Sequence, residues 1–209
     1  EPIPQDRGRG GRLALTGGAL TACGSSDAQA GGAEGEGPSS VVLTSHAAAN
    51  TLDELDLEDR VIGLTKTGVL PEAIAETYSG DEYTDVGSLK EPKMDAIAEL
   101  GPDLIIFGNR TRAMEPEFAK LSDNVVAGDA DTGDTVASNR AKVEELAGLF
   151  GVEDAASEQL AEIDEKVAET KANAEQAGTA LVIMTSGGKV TGYGAGSRFD
   201  IIFNELGLA

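Results

Sequence analysis

The chain has no tryptophan, one cysteine and one histidine, and aromatic residues make up only 4% of its composition. Stacking platforms for single-stranded nucleic acid or sugars are hard to build from so few rings. With only Cys23, no intrachain disulfide can form. With only His46, an imidazole-type zinc or manganese site lacks the partners it needs. Basic residues are also scarce: 16 Lys and Arg face 37 Asp and Glu, a net charge of -21 that repels phosphate backbones and excludes nucleic acid as a partner. No run of about 18 apolar residues occurs, so no transmembrane helix is expected. Enzyme signatures are missing as well. No Walker-type phosphate loop occurs, and G-x-G-x-x-G starting at Gly192 and Gly194 fails where Ser197 stands. No G-x-S-x-G elbow accompanies His46.

What is present begins with the surroundings of Cys23. Leu20-Thr21-Ala22-Cys23-Gly24-Ser25-Ser26-Asp27 resembles a bacterial lipobox: small and apolar residues before a Cys, then a small polar tether. Arg7, Arg9 and Arg12 precede the apolar stretch from Leu13 to Ala22, as in a secretory signal, although that stretch is short and holds two Gly and two Thr. Cleavage before Cys23 would leave a lipid-modified N-terminus, and each buried methylene of its acyl chains contributes about 0.8 kcal/mol to anchoring. The plainer alternative is a lone buried or reactive thiol. Residues 1–23 are therefore read as a signal and lipobox region, and the Gly-, Ser- and Glu-rich residues 24–40 as a flexible tether.

From Val41 onward, short apolar strands alternate with helical segments, the pattern of a largely parallel sheet. Strands are expected at Val41 to Thr44, Val61 to Leu64, Thr84 to Val86, Leu104 to Phe107 and Asn124 to Ala127. Helices are expected at Ala48 to Leu55, Pro71 to Tyr78, Lys93 to Leu100 and Glu115 to Leu121. Two further helices, Thr135 to Phe150 and Asp154 to Ala177, are separated by Gly151, a helix-ending residue. In the second of these, Leu160, Ile163, Val167 and Ala174 fall near one face, which reads as a packed strut. A hairpin follows, Ala180 to Thr185 and Lys189 to Tyr193 around Ser186-Gly187-Gly188, and then a helix from Phe199 to Leu206. One hairpin and one helix cannot cover both faces of a sheet, so the second lobe is expected to be incomplete.

In parallel α/β lobes, ligands meet the loops at the carboxyl ends of strands. The loop Gly108-Asn109-Arg110-Thr111-Arg112 follows one such strand, and Gly194-Ala195-Gly196-Ser197-Arg198 leads from the hairpin into a helix. Both present guanidinium groups, whose forked donors and permanent charge suit clustered anionic oxygens. The plainer reading of each is a solvated surface charge. His46, just after the first strand, either lines the cleft or simply bonds a backbone group.

Four stretches, taken in order, resemble the branch of the periplasmic-binding-protein family that serves ABC importers of catecholate-type ferric siderophores: Asn50-Thr51-Leu52-Asp53-Glu54-Leu55, Val86-Gly87-Ser88-Leu89-Lys90-Glu91-Pro92, Ile97-Ala98-Glu99-Leu100-Gly101-Pro102-Asp103-Leu104-Ile105-Ile106 and Tyr193-Gly194-Ala195-Gly196-Ser197-Arg198-Phe199. The resemblance implies an α/β fold of two lobes joined by a long helix: a complete N-terminal lobe at 41–152, a linking helix at 153–178 and a partial C-terminal lobe at 179–209. It implies a non-enzymatic, monomeric, extracytoplasmic binding protein without a covalent cofactor beyond the N-terminal lipid, whose partners are a ferric siderophore and ABC permease subunits. Arg110 and Arg198 match positions where the family presents Arg to the chelate, with Tyr193 and His46 as further ligand-lining candidates. Arg112 has no clear counterpart and only adds to the local field. Asp56 departs from the pattern, standing where a helix-ending Gly is expected. Rivals are the same fold with haem, a corrinoid or a hydroxamate chelate, a nucleotide-binding α/β enzyme, and a relic without transport function.

Overall fold

Strand β1 (Val41–Thr44) and strand β4 (Leu104–Phe107) are buried at every position, and each sends alternate residues into a different core. Val41, Leu43, Leu104 and Ile106 belong to one cluster, whereas Val42, Ile105 and Phe107 belong to the other. A strand covered on both faces has no solvent side, which is why its sequence is a continuous apolar run. The computed structural model describes residues 37–131 and 135–208. Cys23, the lipobox and most of the tether lie outside the described residues.

The sheet has five parallel strands in the order β3-β2-β1-β4-β5, with β2 at Val61–Leu64, β3 at Thr84–Asp85 and β5 at Val125–Ala127. Helices α1 (His46–Glu54) and α2 (Glu72–Tyr78) fill the first core with Ala48, Ala49, Leu52, Ile74 and Tyr78. The α3 helix (Met94–Leu100) and the short α4 (Glu115–Phe118) fill the second core with Ile97 and Phe118. The chain winds outward from β1 through β2 to β3, then crosses to β4 and β5, so the order reverses between β1 and β4. In an open α/β sheet that reversal opens a crevice at the strands' carboxyl ends.

Beyond the sheet, α5 (Thr135–Phe150) and α6 (Glu153–Ala174) meet at Gly151, whose φ of 69° is the left-handed value expected of a helix-ending glycine. Leu146, Ala147, Phe150 and Ala156 join the first core. The strut is packed over less of its length than its apolar pattern suggests. Leu160 and Ala174 are buried, but Ile163 is 46% exposed, because only the N-terminal part of α6 lies against the first core. It also ends at Ala174 rather than Ala177, the last residues forming a turn.

Strands β6 (Val182–Ser186) and β7 (Lys189–Tyr193) form a separate antiparallel pair. The ladder from Val182↔Tyr193 to Ser186↔Lys189 leaves Gly187 and Gly188 as a two-residue turn, both at positive φ (55° and 76°) as a hairpin matching the strand twist requires. The segment after Phe199 is shorter and looser than the helix its pattern suggests: Ile201–Glu205 is one π-type turn. With none of its residues buried, little tertiary packing supports a longer helix there.

Helix α1 ends as a Schellman motif despite its non-glycine. Leu57 N–H donates to Leu52 O at 2.9 Å and Asp56 N–H to Asp53 O at 3.1 Å, with Asp56 at φ 54°. Among the described residues Asp56 is the one non-glycine at positive φ. Asp tolerates that region better than most side chains, and buried Leu52 and Leu57 hold the turn closed through the first core.

Candidate functional site

The carboxyl ends of β1, β2, β4 and β5 carry a row of polar groups: Thr44, Ser45, Thr65, Thr111 and Asp129, the first four fully or almost fully buried. Ser45 caps α1, its Oγ accepting from Ala48 N–H at 3.0 Å. The same Oγ donates to Asp129 Oδ1, joining the ends of β1 and β5 across the top of β4. Thr44 Oγ1 and Thr111 Oγ1 lie 3.0 Å apart, and Thr111 Oγ1 donates to Gly108 O at 3.1 Å. The loop after β4 is therefore tied down at both ends, by Asn109 N–H donating to Asp129 Oδ2 at 2.6 Å and by the Thr44–Thr111 pair. Gly128 makes this junction possible. A Cβ there would sit 2.5 Å from the Ile106 side chain and 2.7 Å from Ala48 Cβ, too close for either to yield cheaply.

Three basic side chains leave the loops after β2 and β4, and they are used differently. Lys66 Nζ donates to the carbonyls of Ser79, Gly80 and Tyr83, at 3.2, 2.6 and 3.2 Å, closing the turn after α2. Arg112 Nη2 donates to Asn109 Oδ1 at 2.7 Å, and the residue lines a cavity of about 250 Å³ together with Asp129, Asp131, Lys142 and Glu145, the last two paired with each other. Arg110 is exposed and makes no hydrogen bond or ion pair with any described residue. Of the three, its charge is the one without a partner among the described residues.

His46 is the first residue of α1, at the crest. Its Nε2 donates to Thr65 O at 2.9 Å, bridging the ends of β1 and β2. The backbone-bonded alternative thus describes its contact, and the half-buried ring stands at the crest's rim.

Arg198 and Tyr193 come together around the ring of Phe199. Phe199 packs edge-on against Tyr193 at 4.8 Å between centroids, and the Arg198 guanidinium lies 5.2 Å from the Phe199 centroid. Buried Asp200 accepts from Gly196 N–H at 2.6 Å and from Asn204 Nδ2 at 2.7 Å, fixing the glycine loop from below. Among the described residues no hydrogen bond, ion pair or ring contact joins this group to the crest holding His46, Arg110 and Arg112. The structure thus defines two arginine loops, one on each sheet.

Ser45, Thr65, Thr111 and Asp129 escape a reading of the sequence that looks for charged or metal-ligating residues. The signal was there for two of them: Ser45 is a helix-capping residue directly after a strand, and Asp129 follows β5 as Arg110 follows β4. The pairing between them is tertiary, over 84 residues of chain.

A doubly wound parallel lobe with a polar crest and an exposed arginine at its switch point, followed by a long helix and a further strand pair, has the organisation of a two-lobed ligand-binding protein. The chain belongs to the periplasmic binding protein family, whose profile matches residues 41–209. It is 39% identical over 173 residues to the petrobactin-binding protein YclQ of Bacillus subtilis, covering 82% of this chain and 54% of that protein. The crystal structure of YclQ superimposes with a TM-score of 0.79 at 38% identity, over 84% of this chain and 61% of that one. The ferric-anguibactin-binding protein FatB of Vibrio anguillarum is 30% identical over 170 residues, 77% of this chain and 52% of its own length. The periplasmic catecholate-siderophore binding protein VctP of Vibrio cholerae matches with a TM-score of 0.75 at 26% identity, over 82% of this chain and 61% of that structure. The chain therefore spans about half the length of the curated relatives it matches.

Proposed function

We propose that this chain is the ligand-capturing component of an ABC importer for ferric siderophores, taking an anionic, catecholate-type chelate outside the cytoplasmic membrane and passing it to a permease. The observation that carries this reading is Arg110: a guanidinium at the switch point of the parallel sheet, exposed and without a partner among the described residues. The names of the relatives support the ligand class, since YclQ, FatB and VctP are each named for a siderophore.

In this reading 41–152 is the N-terminal lobe, 153–178 the linking helix and 179–209 part of the second lobe, while Cys23 carries the lipid that holds a monomeric protein at the membrane. The chelate sits over the crest, and Arg110 and Arg198 neutralise its charge, with Tyr193 and His46 lining the ligand and Arg112 adding to the local field. Iron reaches the protein already wrapped by its chelator, so metal selectivity belongs to the siderophore and no catalysis is required. A net charge of -21 does not forbid this. The Debye length is about 8 Å at physiological salt, so guanidinium groups in direct contact with the ligand outweigh acids spread over the surface.

Calorimetric titration of the full chain with ferric petrobactin, a ferric tris-catecholate, a ferric hydroxamate, haem and a corrinoid tests the proposal. The catecholate-bearing ligands are expected to bind tightest, and Arg110→Ala and Arg198→Ala are each expected to weaken them by about tenfold or more, the value of a hydrogen bond to a charged group. Tightest binding of haem or a corrinoid would replace the ligand class, and unchanged affinity in both variants would remove the site.

A further inference from the structure

The carboxylate of Asp129 lies beside the site proposed for an anion, where simple electrostatics would disfavour it. Its contacts give it another use. Oδ1 accepts from Ser45 Oγ and Oδ2 from Asn109 N–H at 2.6 Å, so one half-buried side chain grips the β1–α1 junction and the β4 loop together. Asn109 extends the clasp: its Nδ2 reaches Ala130 O at 3.5 Å and its Oδ1 accepts from Arg112 at 2.7 Å. Arg110 stands between Asn109 and Thr111, and Thr111 is buried and bonded to Thr44. The backbone on both sides of Arg110 is thus held by groups at the ends of neighbouring strands, while its own side chain has no bond to any described residue.

The geometry points to Asp129 as a positioning residue for ligand capture, which fixes the Gly108–Arg112 loop so that the Arg110 guanidinium is presented to the anion rather than paired with a carboxylate of the described residues. This rests on the function proposed above. A carboxylate suits the task because two convergent donors, a hydroxyl and a backbone N–H, need two acceptor oxygens at once. An amide supplies only one acceptor oxygen, so it cannot accept from both the Ser45 hydroxyl and the Asn109 N–H as the carboxylate does. Preorganising the loop removes an ordering cost that ligand binding would otherwise carry. The sign of the effect separates the two possible roles. If charge mattered most, neutralising Asp129 would strengthen anion binding; if position matters most, neutralising it weakens binding.

The test is a double-mutant cycle on the full chain, titrated with ferric petrobactin and a ferric tris-catecholate. Asp129→Asn is expected to weaken binding by about fivefold in the presence of Arg110 and by less than about twofold in an Arg110→Ala background. Asp129→Glu keeps the charge but displaces the oxygens, and it is expected to weaken binding as Asp129→Asn does. Hydrogen exchange at the Asn109 amide should accelerate in both variants, with the melting transition still cooperative. Unchanged or tighter binding by Asp129→Asn would overturn the proposal, as would an equal loss in the presence and absence of Arg110, the mark of a general structural role. If Arg110→Ala alone leaves affinity untouched, the role of Arg110 in the proposed site fails first and the Asp129 proposal with it, a result that the single variant distinguishes from failure of Asp129 itself.

Discussion

Arg110 and Arg198 occupy glycine-containing loops held by aspartates, yet the supports beneath them are opposites. Under Arg110 lies a five-stranded parallel sheet in which β1 and β4 are buried at all positions and packed by helices on both faces. Under Arg198 lies a two-stranded ladder with no buried position, on which Ile183 is 54% exposed and Val190 is 69% exposed. In the first region the loop inherits its position from two hydrophobic cores. In the second it depends on local bonds, those of Asp200 to Gly196 and Asn204 and the Tyr193–Phe199 ring contact. An isolated two-stranded hairpin is at most marginally stable in water. The difference shows that an arginine-bearing loop can be pinned by tertiary packing or by its own hydrogen bonds, and that the former inherits the stability of the core.

The sharpest way to break this contrast is to remove matching side chains from each region. Ile106→Ala deletes a fully buried side chain and should cost about 3 kcal/mol or more, whereas Ile183→Ala should stay within about 0.5 kcal/mol, both by urea unfolding. Comparable losses would show that the hairpin shares the core's stability. A smaller effect lies at the edge of the sheet. Burial alone would raise the Asp85 pKa, but hydrogen bonds from Gly87 N–H, the Lys93 ammonium, Lys66 N–H and Thr67 Oγ1 overcome it and hold the group at about 2. Its stabilisation is fully present above the unfolded carboxylate value near 3.8 and is lost as pH falls through about 2. Stability of the parent should therefore decline across that window by about 1 kcal/mol more than that of Asp85→Asn, a figure reduced for the group's partial exposure. Parallel pH profiles of the two would dismiss the assignment.

The smallest change tests the one strained turn in the well-packed region. Asp56→Gly relieves a left-handed non-glycine backbone and should stabilise the chain by about 0.5 kcal/mol or slightly more, detected as a raised urea midpoint. A loss of stability would mean that the Asp56 side chain supports the turn in a way its backbone bonds do not reveal.

Much of this architecture was legible before any coordinates. The runs Val41–Thr44 and Leu104–Phe107 appear as strands at the expected residues, because an apolar run of that length between turn residues has few other uses. Gly151 and the Gly187–Gly188 turn were equally plain, since positive φ selects glycine strongly. The exposed side of α6 and the shortness of the Ile201–Glu205 turn were not, because an apolar stripe says that a face can be covered and not that anything covers it.

For the site, the sequence by itself determined which residues lie at the carboxyl ends of strands, since chain order and the right-handed crossovers of a parallel sheet leave little choice. It offered Arg110 and Arg112 as near-equivalent cations two positions apart. Only the tertiary structure separated them, by giving Arg112 a hydrogen bond to Asn109 and leaving Arg110 without a partner among the described residues. Whether a charge is available depends on neighbours in space, and the residues that decide it here, Ser45, Thr44, Thr111 and Asp129, are brought together over chain separations of 67 and 84 residues that no local pattern records.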